Sequence, residues 1–94
     1  MAVTKNFMLT TVSEALNKAL GTDSHWFDSS VIRYAGYYSG GKTLYIRFTS
    51  GKEYAYMNVD ESVWHDFVDA ESQGKFFNKY IRNKYEFERL GEAA

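Results

Sequence analysis

The chain of 94 residues has no cysteine and no proline. Without cysteine there is no disulfide, no thiolate zinc site, no iron–sulfur cluster and no thiol nucleophile. Without proline no turn or helix start is built on that residue. No apolar run approaches the roughly 20 residues that a membrane helix needs. Met1 to Lys18 lacks a compact apolar block ending in a cleavage site, so no signal peptide is expected and the location expected is cytoplasmic. Histidine is scarce, with two residues, and charge is balanced, with 11 Lys and Arg against 12 Asp and Glu. A net charge of -1 excludes a uniformly basic nucleic-acid binder but leaves room for a locally basic face. What is abundant is aromatic: 8 Tyr, 7 Phe and 2 Trp, 18% of the chain. That is enough to fill a small core and leave rings for a surface. With 45% hydrophobic and 24% charged residues, the composition is that of one small globular domain.

Periodicity then divides the chain. Residues 10–21 read as a short helix, with a capping-box pattern at Thr11 and Glu14 and with Val12, Ala15, Leu16, Ala19 and Leu20 at helical spacing. Gly21 suits its C-cap, and Gly21 to Ser24 reads as a connector. From Val31 the period becomes two. Val31 to Tyr38, Lys42 to Thr49 and Lys52 to Met57 read as three strands, joined by the turns Ser39-Gly40-Gly41 and Ser50-Gly51. Leu44, Ile46 and Phe48 share the face expected to be buried, with Tyr45 and Arg47 on the other. Asp60 and Glu61 open a helix carrying Val63, Trp64, Phe67 and Val68, and Ser72 caps a last helix through about Arg82 with Phe76, Phe77, Tyr80 and Ile81 on its apolar side. Tyr85, Phe87 and Leu90 alternate loosely, as in a closing extended segment. The expected class is α+β: a three-stranded antiparallel meander packed against two or three helices. The expected organisation is an N-terminal helical extension (1–26), one domain (27–90) and a tail (91–94).

The catalytic inventory is nearly empty. His65 and Asp69 stand four apart, a spacing that a weak, solvated surface pair explains as well as anything else. Gly74-Lys75 lacks the other glycines of a phosphate loop, and no metal-ligand spacing appears. No enzyme activity, metal or cofactor is expected. Charge patterning says more. Residues 60–71 carry five acids and no Lys or Arg, whereas 72–85 carry Lys75, Lys79, Arg82 and Lys84 and no acid. On a regular helix Lys75, Lys79 and Arg82 would share one face, with Asn78 and Asn83 beside them. This is the footprint of phosphate binding, with Gly74 letting an anion approach; mutual neutralisation by the acidic helix is the competing account. The outward sheet face supplies Tyr45 and Arg47, with Arg33 near them, a combination that can stack a base and hold its phosphate. Ordinary strand propensity or a subunit interface explains the same residues.

The order of residues resembles the KTSC domain, the C-terminal domain of some lysyl-tRNA synthetases, which also occurs as small stand-alone bacterial and phage proteins. The resemblance rests on Asp28-Ser29-Ser30-Val31-Ile32, Gly36-Tyr37, Leu44-x-Ile46-x-Phe48, Gly51, Tyr54-Ala55-Tyr56, Val63-Trp64 and Gly74-Lys75-Phe76-Phe77-Asn78-x-x-Ile81-Arg82-x-x-Tyr85. Tyr54 and Tyr56 match the family's Y-x-Y signature. Asp60 stands where the family usually has proline, and both suit a first helical turn. The resemblance implies a non-enzymatic module for which RNA binding has been suggested. The function expected is nucleic-acid or nucleotide binding through Lys75, Asn78, Lys79, Arg82 and Lys84 together with Arg33, Tyr45 and Arg47. The alternatives are a phage-type protein that sequesters a signalling nucleotide, or a protein-interaction or self-associating accessory domain. Tyr54 and Tyr56 are expected to be buried, each hydroxyl with a partner.

Overall fold

A computed structural model describes residues 22–92. The helix expected at 10–21 lies outside the described residues. The three-stranded meander is corrected: five strands form one antiparallel sheet in chain order. They are β1 (Thr22–Trp26), β2 (Ile32–Tyr38), β3 (Thr43–Phe48), β4 (Lys52–Tyr56) and β5 (Phe87–Glu92). Between β4 and β5 lie α1 (Glu61–Asp69) and α2 (Gln73–Phe76), and α2 widens directly into a π-helical turn over Phe77–Ile81. The fold is therefore mostly β, with two short helical stretches among the described residues.

The two strands beyond the expected three are the sheet edges: β5, read above only as a closing extended segment, pairs with a strand on the far side of the helices, whereas β1 joins β2 through a short connection. Thr22 to Ser24, read above as connector, pair with Tyr38 to Gly36 of β2. Asp23 and Ser24 carry little strand preference, so pairing decides. Asp23 adds an anchor: its carboxylate accepts from the Trp64 indole at 3.1 Å and lies 3.0 Å from His25 Nε2. At the other edge β5 pairs with β4, with Leu90 as an extra residue between Arg89, opposite Tyr54, and Gly91, opposite Glu53. That bulge is why its alternation looked loose.

The central strands follow their period. Leu44 and Ile46 are fully buried, Phe48 packs at the margin of the core, and Ile32, Ala35, Tyr37 and Tyr56 join them from the neighbouring strands. Trp64, Phe67, Phe77 and Ile81 cover that face, as their helical spacing requires. Trp64 stacks near-parallel on Tyr37 at 5.9 Å and on Phe67 at 6.1 Å, and the Tyr37 hydroxyl donates to the Val59 carbonyl at 2.6 Å.

Local chemistry fixes the connections. Gly51 turns β3 into β4 at φ 95°, a conformation that costs glycine nothing. Ser72 accepts from the Lys75 amide at 3.2 Å, the expected cap, and Gln73 Nε2 donates to the Ala70 carbonyl at 2.9 Å, closing the end of α1. Gly74 is buried, and a Cβ there would come within 3.2 Å of Val31. Its missing side chain makes room for Val31, the residue just before β2.

Truncating the centre tests this arrangement. Trp64→Ala should lower the unfolding free energy by about 3–5 kcal/mol in urea denaturation. A loss below about 1 kcal/mol would place Trp64 outside the core.

Candidate functional site

At the β4–β5 end of the covered face a cleft of about 230 Å³ stays open. Its walls are Phe48 of β3, Tyr54 and Tyr56 of β4, Phe87 of β5 and Phe77 of the π turn. The rings meet edge to face: Phe48 with Phe77 at 5.2 Å, Tyr54 with Phe87 at 5.6 Å, and Tyr56 with Phe77 at 5.7 Å. This is the offset geometry that the ring quadrupole favours. Arg82 and Asn83 form the rim, Asn83 at φ 61° in the short turn that leads out of the π segment.

The two signature tyrosines behave differently from expectation. Tyr56 is 5% exposed, and Tyr54 is half-buried. Neither phenol makes a hydrogen bond with the described residues, although each was expected to reach a partner. Among the described residues no buried side-chain oxygen or nitrogen lacks a partner, so the Tyr56 hydroxyl opens to the cleft. Burial, with a smaller contribution from Tyr54, pushes the Tyr56 phenol up to about 12, and Arg82 pulls the other way.

The basic residues do not share one face. Lys75 and Lys79 line a shallow groove of about 280 Å³ with Phe76, Tyr80 and Glu71, and Lys79 Nζ stands 5.1 Å from the Tyr80 ring centroid. Arg82 follows the π turn and leaves helical geometry at ψ 126°, which puts it at the aromatic cleft instead. A π turn holds more residues than an α turn, so the i, i+7 spacing no longer returns to the same side. Asn78 and Lys84 are exposed. Among the described residues the ion pairs involve none of Lys75, Lys79, Arg82 or Lys84. His65 pairs with Glu61 at 3.1 Å rather than with Asp69.

The outer sheet face is a separate network. Trp26, 68% exposed, meets Tyr34 edge-on at 4.8 Å, and Tyr34 meets Tyr45 at 6.0 Å. The Arg47 guanidinium stands 5.8 Å from the Tyr34 ring centroid. Its charge is answered at home: Nε lies 3.4 Å from the Glu53 carboxylate and 3.3 Å from the Tyr45 hydroxyl, which itself donates to Glu53. Burial first, and the Glu53 hydrogen bond next, raise the Tyr45 pKa above its ordinary value. Arg33 is exposed, the extra residue of a bulge between Ile32 and Tyr34. Tyr45 and Arg47 do face outward together, but the Arg47 charge is already met by Glu53. Among the described residues no three His, Asp or Glu side chains gather as a metal site, and no helix is long and apolar enough to cross a membrane.

A single sheet with one-sided helical cover and an aromatic cleft at one end defines a small β-rich domain class. The chain belongs to the KTSC domain family, whose profile matches residues 28–85. The solved structure of a KTSC domain protein from Yersinia pestis superposes with a TM-score of 0.71 at 30% identity, covering 74% of this chain and 99% of that one. A lysine–tRNA ligase of Nostoc punctiforme is 43% identical over 63 residues, and one from Trichormus variabilis 35% identical over 63 residues. In each case the match takes in 67% of this chain but only 11% of the ligase. A small protein of Tsukamurella paurometabola is 38% identical over 58 residues, 62% of this chain and 87% of its own length.

Tyr56 provides a direct probe of the cleft. A phenolate titration followed by ultraviolet absorbance should show one tyrosine ionising near 12, and Tyr56→Phe should abolish it. The ordinary phenol value is 10.0, so the folded state holds its proton longer than the unfolded one. The contribution of the Tyr56 proton to stability is therefore fully present below pH 10.0 and is lost as pH rises toward about 12, a loss absent from Tyr56→Phe. A Tyr56 that ionises with the exposed tyrosines would contradict the buried ring.

Proposed function

We propose that this chain is a non-enzymatic, cytoplasmic RNA-binding module whose contact surface is the α2–π segment and the turn after it. The observation that carries the reading is the company its cations keep. Lys75 and Lys79 border a groove with Phe76 and Tyr80, Arg82 borders an aromatic cleft, and the described residues offer none of them a carboxylate partner. Unpaired cations interleaved with accessible rings suit a single strand, whose phosphates need charge and whose bases need flat apolar faces. Lys84 and Asn78, also exposed, extend the same surface. Homologous segments within lysine–tRNA ligases support RNA as the polymer. The outer face contributes less to this reading, because Glu53 already neutralises Arg47.

Fluorescence anisotropy with a labelled single-stranded RNA tests it. Binding should weaken with salt, with a log–log slope of about −2 to −3 for three or four phosphate contacts. The double variant Lys75→Glu, Lys79→Glu should bind at least tenfold more weakly, while its unfolding free energy stays within about 1 kcal/mol of wild type. No binding of RNA or nucleotide by the wild-type protein at low salt would end the proposal.

A further inference from the structure

The aromatic cleft is built differently from the recesses beside Lys75 and Trp64. The groove beside Lys75 is open and shallow, and the recess beside Trp64 is lined by Asp23 and Glu61, which disfavour an anion. Among the described residues the cleft has apolar ring walls, two phenols without a hydrogen-bond partner, and one charged residue, Arg82, at its rim. We propose that it is a pocket for one unstacked nucleobase, with Arg82 receiving the phosphate attached to that nucleoside. The proposal rests on the RNA-binding reading and names the site within it where a base is taken up.

Four observations set the chemistry of the occupant. The volume of about 230 Å³ falls below the range of drug-sized sites, about 300–1,000 Å³, and so admits roughly one ring system. Walls made of rings on three strands and the π turn give a planar guest flat apolar contacts, the interaction that holds bases in single-strand binders. The Tyr56 hydroxyl, at the end of a ring only 5% exposed, opens to the cleft and can meet a polar base edge. An aliphatic guest would leave that hydroxyl unsatisfied, which is costly in a desolvated site. The fourth is the sign of the charge. A methylated ammonium also suits an aromatic cage, but it would meet Arg82 and no carboxylate on the lining. A guest that is aromatic and anionic at one end satisfies all four, and a nucleotide is that guest. Its source is either a single strand passing over the α2–π segment or a free mononucleotide.

The two sources and the proposal itself separate in one set of titrations. Calorimetry with adenosine and uridine 5′-monophosphates, the matching nucleosides and inorganic phosphate is run beside anisotropy with single-stranded RNA. Wild type is compared with Arg82→Ala and Phe87→Ala. Phe87 is 55% exposed on an edge strand and Arg82 is exposed, so thermal melting should show both variants folded. Phe87→Ala should weaken binding about 5- to 150-fold, the span of one lost base–aromatic stack. Arg82→Ala should weaken nucleotide but not nucleoside, and inorganic phosphate should compete poorly. If RNA shows these losses, the base arrives on a strand; if only mononucleotides do, the cleft takes a free nucleotide and the strand reading fails while the pocket stands. If RNA binding responds to Lys75→Glu and Lys79→Glu but not to Phe87→Ala or Arg82→Ala, the pocket is overturned and the broader reading survives. Binding of neither ligand by wild type overturns both.

Discussion

Among the described residues two short helical stretches cover one face of five strands, and they are too small for it. Five strands spaced about 4.8 Å apart make a sheet about 19 Å across, whereas nine residues of α1 extend only about 13 Å. The cover is therefore placed over the middle. Trp64, Phe67 and Ile81 seal Leu44, Ile46, Ile32 and Ala35 there completely or nearly so. The β1 end is closed by other means: Trp64 donates to Asp23, and Phe27 meets Phe67 edge-on at 5.4 Å. Among the described residues no such device acts at the β4–β5 end, where Tyr54, Tyr56 and Phe87 line a cleft instead of a core.

The π turn belongs to the same economy of cover. It sets Phe77 and Ile81 against the sheet and delivers Arg82 to the rim of the cleft, away from Lys75 and Lys79. Charge is sorted along the chain in parallel. The acids of residues 60–71 find partners, where they have them among the described side chains, in Lys42 and His65. Lys75, Lys79, Arg82 and Lys84 have no carboxylate partner among the described residues. A near-zero net charge thus conceals a surface with a basic side.

Much of this was legible from residue order. The alternation of Leu44, Ile46 and Phe48 identified the buried face, the Gly-containing turns marked two hairpins, and Ser72 announced its cap. The ordered motifs from Asp28 to Tyr85 were enough to indicate the family. The first edge was harder to read for a physical reason: Asp23 and Ser24 become strand only through pairing with β2 and the bond to the Trp64 indole, which is far away in sequence. The π turn carries no local signal at Phe77–Ile81, so a helix drawn with regular spacing put Arg82 on the wrong side. The tyrosine pair was recognised as a signature, but which way its hydroxyls open depends on how far the helices reach.

The account's central claim is that the β4–β5 end and the π turn beneath it form the binding face. Backbone amide NMR shifts recorded while a short single-stranded RNA is titrated into the protein test that claim most directly. The account predicts perturbations centred on Tyr54, Tyr56, Phe87, Arg82 and Asn83 and continuing to Lys75 and Lys79. Perturbations confined to Trp26, Tyr34, Tyr45 and Arg47 on the opposite face, or none at all, would contradict it.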